Sequence, residues 1–241
     1  MKLSKGKLKL NLDVVVPQDE SLLGKYCLGT QLLLNYKNSL ITDNHETYHS
    51  FLEIYSQVSC KTLLDLDRMF VLYQAVLATN RLKGCTAECG VYKGGGSIMI
   101  ARSNNNRRHY ALDSFEGLPE TDSKIDVHET GDFSDISFEE VKSTLSEYKN
   151  VILLKGFFAE KFPAIDQKEF SFVYIDADLY QSTLQCCDFF HPRVVQGGMI
   201  LFDDYLIQST PGVKKAVDEF FADKPEFPVI LPTCQSLVVK L

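Results

Sequence analysis

The chain has 241 residues, of which 45% are hydrophobic and 24% are charged, and its formal net charge at pH 7 is −7. This size fits one sizeable domain with enough apolar residues for a core. An acidic chain without a block of lysines or arginines argues against nucleic acid or an anionic membrane as the main partner. No stretch approaches the roughly 20 apolar residues of a membrane span, and no signal-type apolar run follows the mildly basic start, so we expect a cytoplasmic protein.

The cysteines carry no recognisable metal or redox motif. There are seven, an odd number, and no two of them form the C-x-x-C pair that is typical of zinc or redox sites. Because free cysteine packs as a small hydrophobic residue, we interpret them as reduced structural thiols.

Residues 1–60 lack the strand and glycine pattern of the rest of the chain, and we predict that they form an N-terminal extension. Late in this region, apolar residues at helical spacing predict a helix over 42–56, with Asp43 or Asn44 as its cap. A second helix over 62–82 opens the main domain, which we place at 61–241.

From Cys85 onward, strand and helix patterns alternate, which is typical of βαβ units and predicts an α/β fold with a parallel sheet. The predicted strands are 86–91, 109–113, 151–155, 171–175, 198–202, 227–231 and 237–240. The predicted helices are 97–104, 137–148, 159–162, 179–191 and 212–222. The polar segment 119–134 has no periodicity and is predicted to be a mobile loop or lid over the site.

A glycine-rich turn follows the first predicted strand. Its spacing from Gly90 is G-x-x-x-G-G-G, which does not match the dinucleotide fingerprint G-x-G-x-x-G. Such a turn lets the backbone approach a ligand, and Ser97 follows near a helix start with free N–H groups. The acid before it, Glu88, would repel phosphate and favours a cationic or amine-bearing ligand, which points to S-adenosylmethionine. The alternative is a glycine-rich connector that binds nothing.

Asp113 closes the second predicted strand, where an acid can accept hydrogen bonds from ribose hydroxyls. A strand-ending aspartate alone is a weak signal, because it often only caps the next turn. Together with Glu88 and the glycines, it supports a cofactor site.

Two later strands each end in a pair of aspartates, Asp176 with Asp178 and Asp203 with Asp204. The carboxyl ends of parallel strands form the ligand-binding edge of open α/β sheets, so these side chains form a candidate site. Oxygen donors without nearby cysteine or histidine favour Mg²⁺, Mn²⁺ or Ca²⁺ over zinc. A divalent cation would also remove the mutual repulsion of the carboxylates. The alternative is helix capping, which explains one aspartate per strand but not two.

The histidines are less informative than the acids. His109 is expected to begin a strand, and His191 lies near a helix end, so we interpret both as structural. His128 falls in the predicted lid, where a functional role is less improbable than for the other two.

Several motifs, taken in order, resemble the macrocin O-methyltransferase (TylF-type) family of S-adenosylmethionine-dependent enzymes. The resemblance covers about residues 62–241. The motifs are AECGVYKGGGS at 87–97, DSFEGLP at 113–119, GDF at 131–133, KGFF at 155–158, IDADLY at 175–180 and GGMILFDDY at 197–205.

The resemblance implies a class I methyltransferase fold, a Rossmann-like seven-stranded, mostly parallel sheet with helices on both faces, here preceded by an N-terminal helical extension. It also implies methyl transfer to a sugar hydroxyl of a glycosylated natural product, usually with Mg²⁺ or a relative such as Mn²⁺. By motif, Asp178 would be the general base, and the metal ligands would be Asp176, Asp203 and Asp204. The implied cofactor-site residues are Glu88, Gly90, Ser97, Asp113 and Ser114, with Asp132 as a further addition. The partner would be a small-molecule glycoside, and the resemblance and the extra N-terminal helices favour self-association.

Two other functions fit much of the same pattern. One is a catechol-type small-molecule O-methyltransferase, which also uses Mg²⁺ to bind adjacent hydroxyls. The other is a catalytically silent protein of the same fold that binds S-adenosylmethionine or a nucleotide. The intact acids argue against the silent protein.

Overall fold

A computed structural model describes residues 46–241 of the chain. The beginning of the predicted helix 42–56 and its predicted cap, Asp43 or Asn44, lie outside the described residues. No helix within the described part of the chain is both long and apolar enough to cross a membrane.

The described residues contain seven strands that form one sheet. They are β1 (Cys85–Cys89), β2 (His109–Asp113), β3 (Val151–Lys155), β4 (Phe170–Ile175), β5 (Val194–Phe202), β6 (Val229–Ile230) and β7 (Ser236–Val239). Their order in the sheet is β3-β2-β1-β4-β5-β7-β6. The first five pair in parallel, whereas β7 pairs antiparallel with both β5 and β6. The predicted seven-stranded, mostly parallel sheet is confirmed.

Two strands, β2 and β3, have the predicted boundaries, and the others differ for local reasons. The strand predicted over 86–91 ends at Cys89, because Gly90 has a φ of +93° and turns the chain out of the sheet. The strand predicted over 198–202 begins earlier, at Val194. The strand predicted over 227–231 is only two residues long and lies at the sheet edge.

Seven α-helices lie in the described part of the chain. They are α1 (Glu46–Val58), α2 (Leu66–Ala78), α3 (Gly95–Ser103), α4 (Phe138–Leu145), α5 (Phe158–Lys161), α6 (Tyr180–Phe190) and α7 (Pro211–Phe221). Helix α2 is shorter than the predicted 62–82, because the Asp65 side chain accepts a hydrogen bond from the Arg68 N–H and caps the helix there.

The helices cover both faces of the sheet, as predicted. Successive residues of a strand point to opposite faces. Phe172 and Tyr174 of β4 therefore pack in one core with α1 to α4, and Val173 and Ile175 pack in another with α5 to α7. Burying a large apolar side chain stabilises a fold by about 1.5–3 kcal/mol, so these two cores hold the strand ends in place.

Helix α1 falls within the predicted extension, yet it packs with the rest of the domain. Its Phe51, Ile54 and Val58 are buried in the same core as α2 and α3. The compact unit Glu46–Leu241 includes this helix. Residues 1–45 of the predicted extension lie outside the described residues.

The six described cysteines are free thiols. Cys89, Cys186 and Cys187 are buried in the core with α5 to α7. Burial raises the pKa of the Cys186 and Cys187 thiols well above the usual value. A buried protonated thiol is unreactive, so the structure agrees with structural cysteines.

The strand order reverses between β1 and β4 at the centre of the sheet. Ligands of open α/β sheets bind beyond the carboxyl ends of the strands at such a switch point. The glycine-rich turn follows β1, Asp113 ends β2, and the aspartate pairs follow β4 and β5. The fold therefore brings the predicted cofactor and metal residues to the same edge of the sheet.

Candidate active site

The glycine turn, residues 90–97, packs directly against the turn after β4. Gly90 N–H donates to the Leu112 carbonyl oxygen at 2.9 Å, and Asp176 N–H donates to the Cys89 carbonyl oxygen at 2.9 Å. A Cβ atom on Gly90 would overlap the carbonyl oxygen of Asp176. The absence of a side chain at Gly90 therefore allows the turns after β1 and β4 to touch.

Glu88 and Ser97 lie beneath the glycine turn rather than on its surface. Glu88 is 1% exposed and Ser97 is fully buried, and the Ser97 hydroxyl donates to Glu88 Oε2. His109 Nε2 lies 3.5 Å from the same Glu88 oxygen. Burial raises the pKa of Glu88, and the neighbouring His109 imidazole and the hydrogen bond from Ser97 oppose that rise. These residues thus place a buried carboxyl group below the start of α3.

The Asp113 carboxylate connects the turn after β1 to the turn after β2. Its Oδ2 accepts hydrogen bonds from Val91 N–H at 2.8 Å and Tyr92 N–H at 3.1 Å. Its Oδ1 accepts from Phe115 N–H at 2.8 Å. Each carboxylate oxygen has two lone pairs, so Oδ1 keeps capacity for a further donor such as a ribose hydroxyl.

Ser114 and Asp132 make mainly local contacts. The Ser114 hydroxyl donates to the Gly117 carbonyl oxygen at 2.8 Å. The Asp132 side chain accepts from Glu129 N–H and lies 3.1 Å from His128 Nδ1, both within the segment 119–134. The Glu129 N–H and then His128 lower the pKa of Asp132. The side-chain hydrogen bonds of Asp132 therefore do not connect it to the glycine turn.

Four of the strand ends at this edge are followed by a residue in the left-handed region. Tyr92 (φ 52°), Phe115 (φ 54°), Asp178 (φ 58°) and Asp204 (φ 54°) follow β1, β2, β4 and β5. A positive φ is unfavourable for residues other than glycine, and residues that adopt it concentrate at functional sites. The aspartates tolerate this conformation better than the aromatic residues do.

The acidic cluster, defined as Asp176, Asp178, Asp203 and Asp204, lies at the ends of β4 and β5. Carboxylate oxygens of Asp176, Asp178 and Asp204 all lie within 4.8 Å of one another. The left-handed turns explain this grouping, because they redirect the side chains of Asp178 and Asp204 from the alternation of a regular strand. The grouped oxygens are donors of the kind that Mg²⁺ and Mn²⁺ prefer.

The trio that the structure gathers differs from the predicted ligand set of Asp176, Asp203 and Asp204. Asp203 is 2% exposed, and both of its oxygens accept hydrogen bonds from protein donors. Its Oδ1 accepts from Gln235 Nε2 at 2.7 Å, and its Oδ2 accepts from Arg68 Nη1 at 2.6 Å. Asp203 directly follows β5 and turns into the protein, whereas Asp204 turns toward Asp178.

Arg68 is the cation that faces the acidic cluster. Its Nη1 also donates to Asp204 Oδ1 at 2.9 Å, and its Nη2 donates to the Leu63 carbonyl oxygen at 3.1 Å. Arg68 lies in the first turn of α2 and its side chain is 18% exposed. One guanidinium thus bridges two of the four carboxylates.

The carboxylates of the acidic cluster remain poorly compensated. Burial, followed by the charge of Asp204, raises the pKa of Asp203 to about 7. Burial also raises the pKa of Asp178 and of Asp204 to about 6. For Asp176, burial and then the charge of Asp203 raise the pKa well above its usual value. A divalent cation among these oxygens would supply the charge that Arg68 alone does not.

Helix capping does not explain the acidic cluster. The N-cap residue of α6 is Leu179, without a side-chain cap, and the N-cap residue of α7 is Thr210. None of the four aspartates therefore caps either helix, and the capping alternative is wrong for this site.

Sequence reasoning missed three residues around the acidic cluster: Arg68, Gln235 and Asp126, whose Oδ1 accepts a hydrogen bond from Tyr180 N–H. Arg68 is the one basic residue of α2, which was an available signal for it. Gln235 and Asp126 lie in loops, and no spacing in the sequence distinguishes them from their neighbours.

Comparisons with known proteins agree with this fold. The sequence profile of the macrocin-O-methyltransferase (TylF) family matches residues 58–226. The 8-demethyl-8-(2,3-dimethoxy-alpha-L-rhamnosyl)-tetracenomycin-C 4'-O-methyltransferase of Streptomyces olivaceus is 30% identical over 160 residues, which cover 60% of this chain and 61% of that enzyme. Demethyldecarbamoylnovobiocin O-methyltransferase of Streptomyces niveus is 29% identical over 179 residues, covering 67% of this chain and 68% of that enzyme. This chain thus aligns with less than two thirds of the tetracenomycin enzyme's length.

Solved structures show the same architecture. The O-methyltransferase NovP superposes with a TM-score of 0.66 at 26% identity, covering 75% of this chain and 82% of NovP. The calicheamicin methyltransferase CalS11 superposes with a TM-score of 0.61 at 18% identity, covering 83% of this chain and 94% of CalS11, a likeness of fold alone. The fold is therefore that of class I methyltransferases. Since the profile match spans more than half of the residues, the chain belongs to the macrocin-O-methyltransferase (TylF) family.

Proposed function

We propose that this protein is an S-adenosylmethionine-dependent O-methyltransferase that methylates a sugar hydroxyl of a glycosylated natural product, with Mg²⁺ or Mn²⁺ in the acidic cluster. The observation that carries this proposal is that the acidic cluster lies beside the glycine turn at the switch point of the sheet. The names of the relatives support the substrate class, since they include the tetracenomycin enzyme and mycinamicin III 3''-O-methyltransferase of Micromonospora griseorubida.

The glycine turn and Asp113 form the proposed cofactor side of the site. When bound, S-adenosylmethionine supplies an electrophilic methyl group on a sulfonium sulfur. Asp113 fixes the turns after β1 and β2 through three backbone N–H groups, which preorganises the backbone. Glu88 and Ser97 support the glycine turn from beneath, through the hydrogen bond from the Ser97 hydroxyl to Glu88 Oε2.

The acidic cluster forms the proposed metal side. A divalent cation there would supply positive charge that lowers the proton affinity of neighbouring acceptor hydroxyls. We keep Asp176, Asp203 and Asp204 as the proposed ligands. Because Arg68 already donates to Asp203 and Asp204, it must share or give up these oxygens when the cation binds.

Asp178 is the proposed general base. As the bond between the acceptor oxygen and the methyl carbon forms, the bond from sulfur to carbon breaks, and the hydroxyl proton passes to the Asp178 carboxylate. Its half-buried position, among other acids, suits a group that must hold a proton during turnover. The in-line geometry that such a displacement needs would come from residues that are already fixed at the strand ends.

The proposed partner follows from the substrate class. The partner is a small-molecule glycoside, and the chain offers no basic block for nucleic acid. A cytoplasmic location and self-association stay predictions from the sequence.

The test is a methyl-transfer assay with labelled S-adenosylmethionine across a panel of deoxysugar glycosides and catechols. Each acceptor is assayed after EDTA treatment and after restoring excess Mg²⁺ or Mn²⁺. We expect transfer to at least one glycoside, loss of transfer with EDTA, and recovery with the metal.

Three results would contradict parts of the proposal. Transfer to catechols alone would indicate a catechol-type enzyme. Transfer that EDTA does not change would remove the metal from the mechanism. Binding of S-adenosylhomocysteine without transfer to any acceptor would indicate a catalytically silent protein.

A further inference from the structure

We propose that Asp126 is a positioning residue of the active site, which fixes the turn that carries Asp178 and holds the segment 119–134 against it. This inference rests on the proposed function, because it concerns the residue that is assigned there as general base. It gives the segment, which the sequence suggested only as a lid, a defined point of attachment.

Asp126 is buried although it lies in a polar loop. It is 9% exposed, and its Oδ1 accepts a hydrogen bond from Tyr180 N–H at 2.9 Å. Tyr180 is the first residue of α6 and follows Asp178 by two positions. Helix α6 has no side-chain cap from its own N-cap residue, Leu179. A carboxylate at a helix N-terminus accepts an otherwise unpaired N–H and interacts well with the helix dipole, so Asp126 caps α6 from a distant loop.

Helix α7 approaches the same carboxylate from the other side. A Cβ atom on Gly212, in the first turn of α7, would overlap Asp126 Oδ1 and would lie 2.7 Å from the Tyr180 nitrogen. The N-cap residue of this helix, Thr210, donates from its hydroxyl to the Asp204 carbonyl oxygen at 3.0 Å. Asp126 is therefore wedged between the turn that carries Asp178 and the helix start that is tied to Asp204.

Hydrogen bonds within the segment 119–134 fix the position of Asp126. Asp126 N–H donates to the Asp122 carbonyl oxygen at 2.7 Å, and Asp122 N–H donates back to Asp126 Oδ2 at 3.3 Å. At the base of the segment, Leu118 N–H donates to the Asp132 carbonyl oxygen at 2.9 Å. The segment is thus closed at its base and anchored near its middle.

The anchored segment connects the two sides of the site. It leaves the sheet after β2, yet Asp126 docks on the helix starts that follow β4 and β5. Since β1 lies between β2 and β4, the segment runs past the carboxyl end of β1, where the glycine turn begins. Asp126 therefore links the strand that ends in Asp113 to the turn of Asp178.

The experiment compares Asp126→Ala, Asp126→Asn and Glu129→Ala in the full-length chain. Asparagine keeps a carbonyl oxygen that can accept from Tyr180 N–H, whereas alanine keeps none. Glu129→Ala removes the same charge from an exposed position of the same segment. The measurements are amide hydrogen exchange by mass spectrometry, kcat and KM for the best acceptor of the panel, and the Kd of S-adenosylhomocysteine.

For Asp126→Ala we expect faster exchange both in peptides that contain Tyr180 and in the segment 119–134. Because the turn of Asp178 would no longer be held, kcat should fall by about 10-fold or more, while the Kd of S-adenosylhomocysteine stays within about 3-fold. Asp126→Asn and Glu129→Ala should both stay within about 3-fold of the wild type in kcat.

Unchanged exchange at Tyr180 in Asp126→Ala would overturn the contact itself. Faster exchange with an unchanged kcat would reduce Asp126 to a structural cap and overturn the positioning role. If Asp126→Asn lost as much kcat as Asp126→Ala, the loss would not be due to the hydrogen bond from Tyr180 N–H. If the wild type methylates no acceptor, the proposed function fails, and the exchange result alone decides whether Asp126 holds the turn.

Discussion

The two acidic regions at the carboxyl edge of the sheet differ in how their charges are satisfied. Beside β1 and β2, Asp113 accepts three backbone N–H groups, and Glu88 accepts from the Ser97 hydroxyl. Beside β4 and β5, the guanidinium of Arg68 pairs with only two of the four carboxylates, Asp203 and Asp204. Both regions use left-handed turns to present their groups, yet only the second leaves carboxylate oxygens that face one another.

This difference separates two kinds of site. The glycine turn is held by its own hydrogen bonds, so the cofactor proposed there would bind without rearrangement of the turn. The acidic cluster stores repulsion that a cation would relieve.

The largest effect is expected for Asp178→Asn. An amide cannot take the acceptor proton, so kcat should fall by about 10³-fold, within the usual range for loss of a general base. Binding of S-adenosylhomocysteine and Mn²⁺ should change little, because the substitution is isosteric. Steady-state kinetics and calorimetry on the same preparations measure both quantities, and near-normal turnover would remove Asp178 from the role of base.

Gly90→Ala tests the contact between the two regions. The residue has a φ of +93° and its new methyl group would overlap the Asp176 carbonyl oxygen, so we expect a loss of about 3 kcal/mol in the free energy of unfolding. Gly131→Ala is the matched control, since Gly131 also has a positive φ (+89°) but has no atom within 4 Å of a Cβ. It should lose only about 1 kcal/mol in urea unfolding. Equal losses for the two variants would show that the close approach at Gly90 is unimportant.

Arg68→Met removes the positive charge that faces the acidic cluster and so tests its contribution to stability. Without metal, the variant should lose about 2 kcal/mol of stability, because truncating one partner leaves buried carboxylates unpaired. With saturating Mg²⁺ the loss should shrink, since the cation replaces the missing charge. Arg102→Met removes an exposed arginine that pairs with Glu53 on the surface, and it should change stability by less than about 0.5 kcal/mol under both conditions. Thermal or urea unfolding measures these stabilities. A loss of stability that Mg²⁺ does not reduce would contradict the idea that Arg68 and the cation both neutralise the acidic cluster.

The smallest effect is a pH dependence of the stabilisation by Mg²⁺. In the metal-free protein, the pKa of Asp203 is raised to about 7 and those of Asp178 and Asp204 to about 6. The folded state then binds more protons than the unfolded state between pH values of about 4 and 7, so this contribution to stability is present below about pH 4 and is lost as pH rises through 6 to 7. Mg²⁺ should therefore stabilise the protein more at pH 8 than at pH 5, by about 1 kcal/mol. Unfolding midpoints with and without Mg²⁺ test this, and an equal shift at both pH values would contradict it.

The sequence predicts the strand ends well because they are set by local pattern. The apolar runs over 109–113 and 151–155 have the observed boundaries, and the aspartates after β4 and β5 lie at the predicted edge. Long-range contacts leave no such pattern. Arg68 reaches Asp203 across 135 positions of sequence, and Asp126 reaches Tyr180 across 54. The left-handed turns at Asp178 and Asp204 are equally hidden, because aspartate adopts many conformations, and these turns decide which carboxylates meet.

The most direct test of the division between the two regions is calorimetry of S-adenosylhomocysteine and Mn²⁺ binding to Asp204→Asn and Asp113→Asn. Losing one carboxylate ligand should weaken Mn²⁺ binding to Asp204→Asn by about 10- to 100-fold and leave the Kd of S-adenosylhomocysteine within about 3-fold. Asp113→Asn should show the opposite pattern. If either variant loses both ligands equally, or if Asp204→Asn binds Mn²⁺ like the wild type, the account of a preorganised cofactor turn beside a separate metal cluster is wrong.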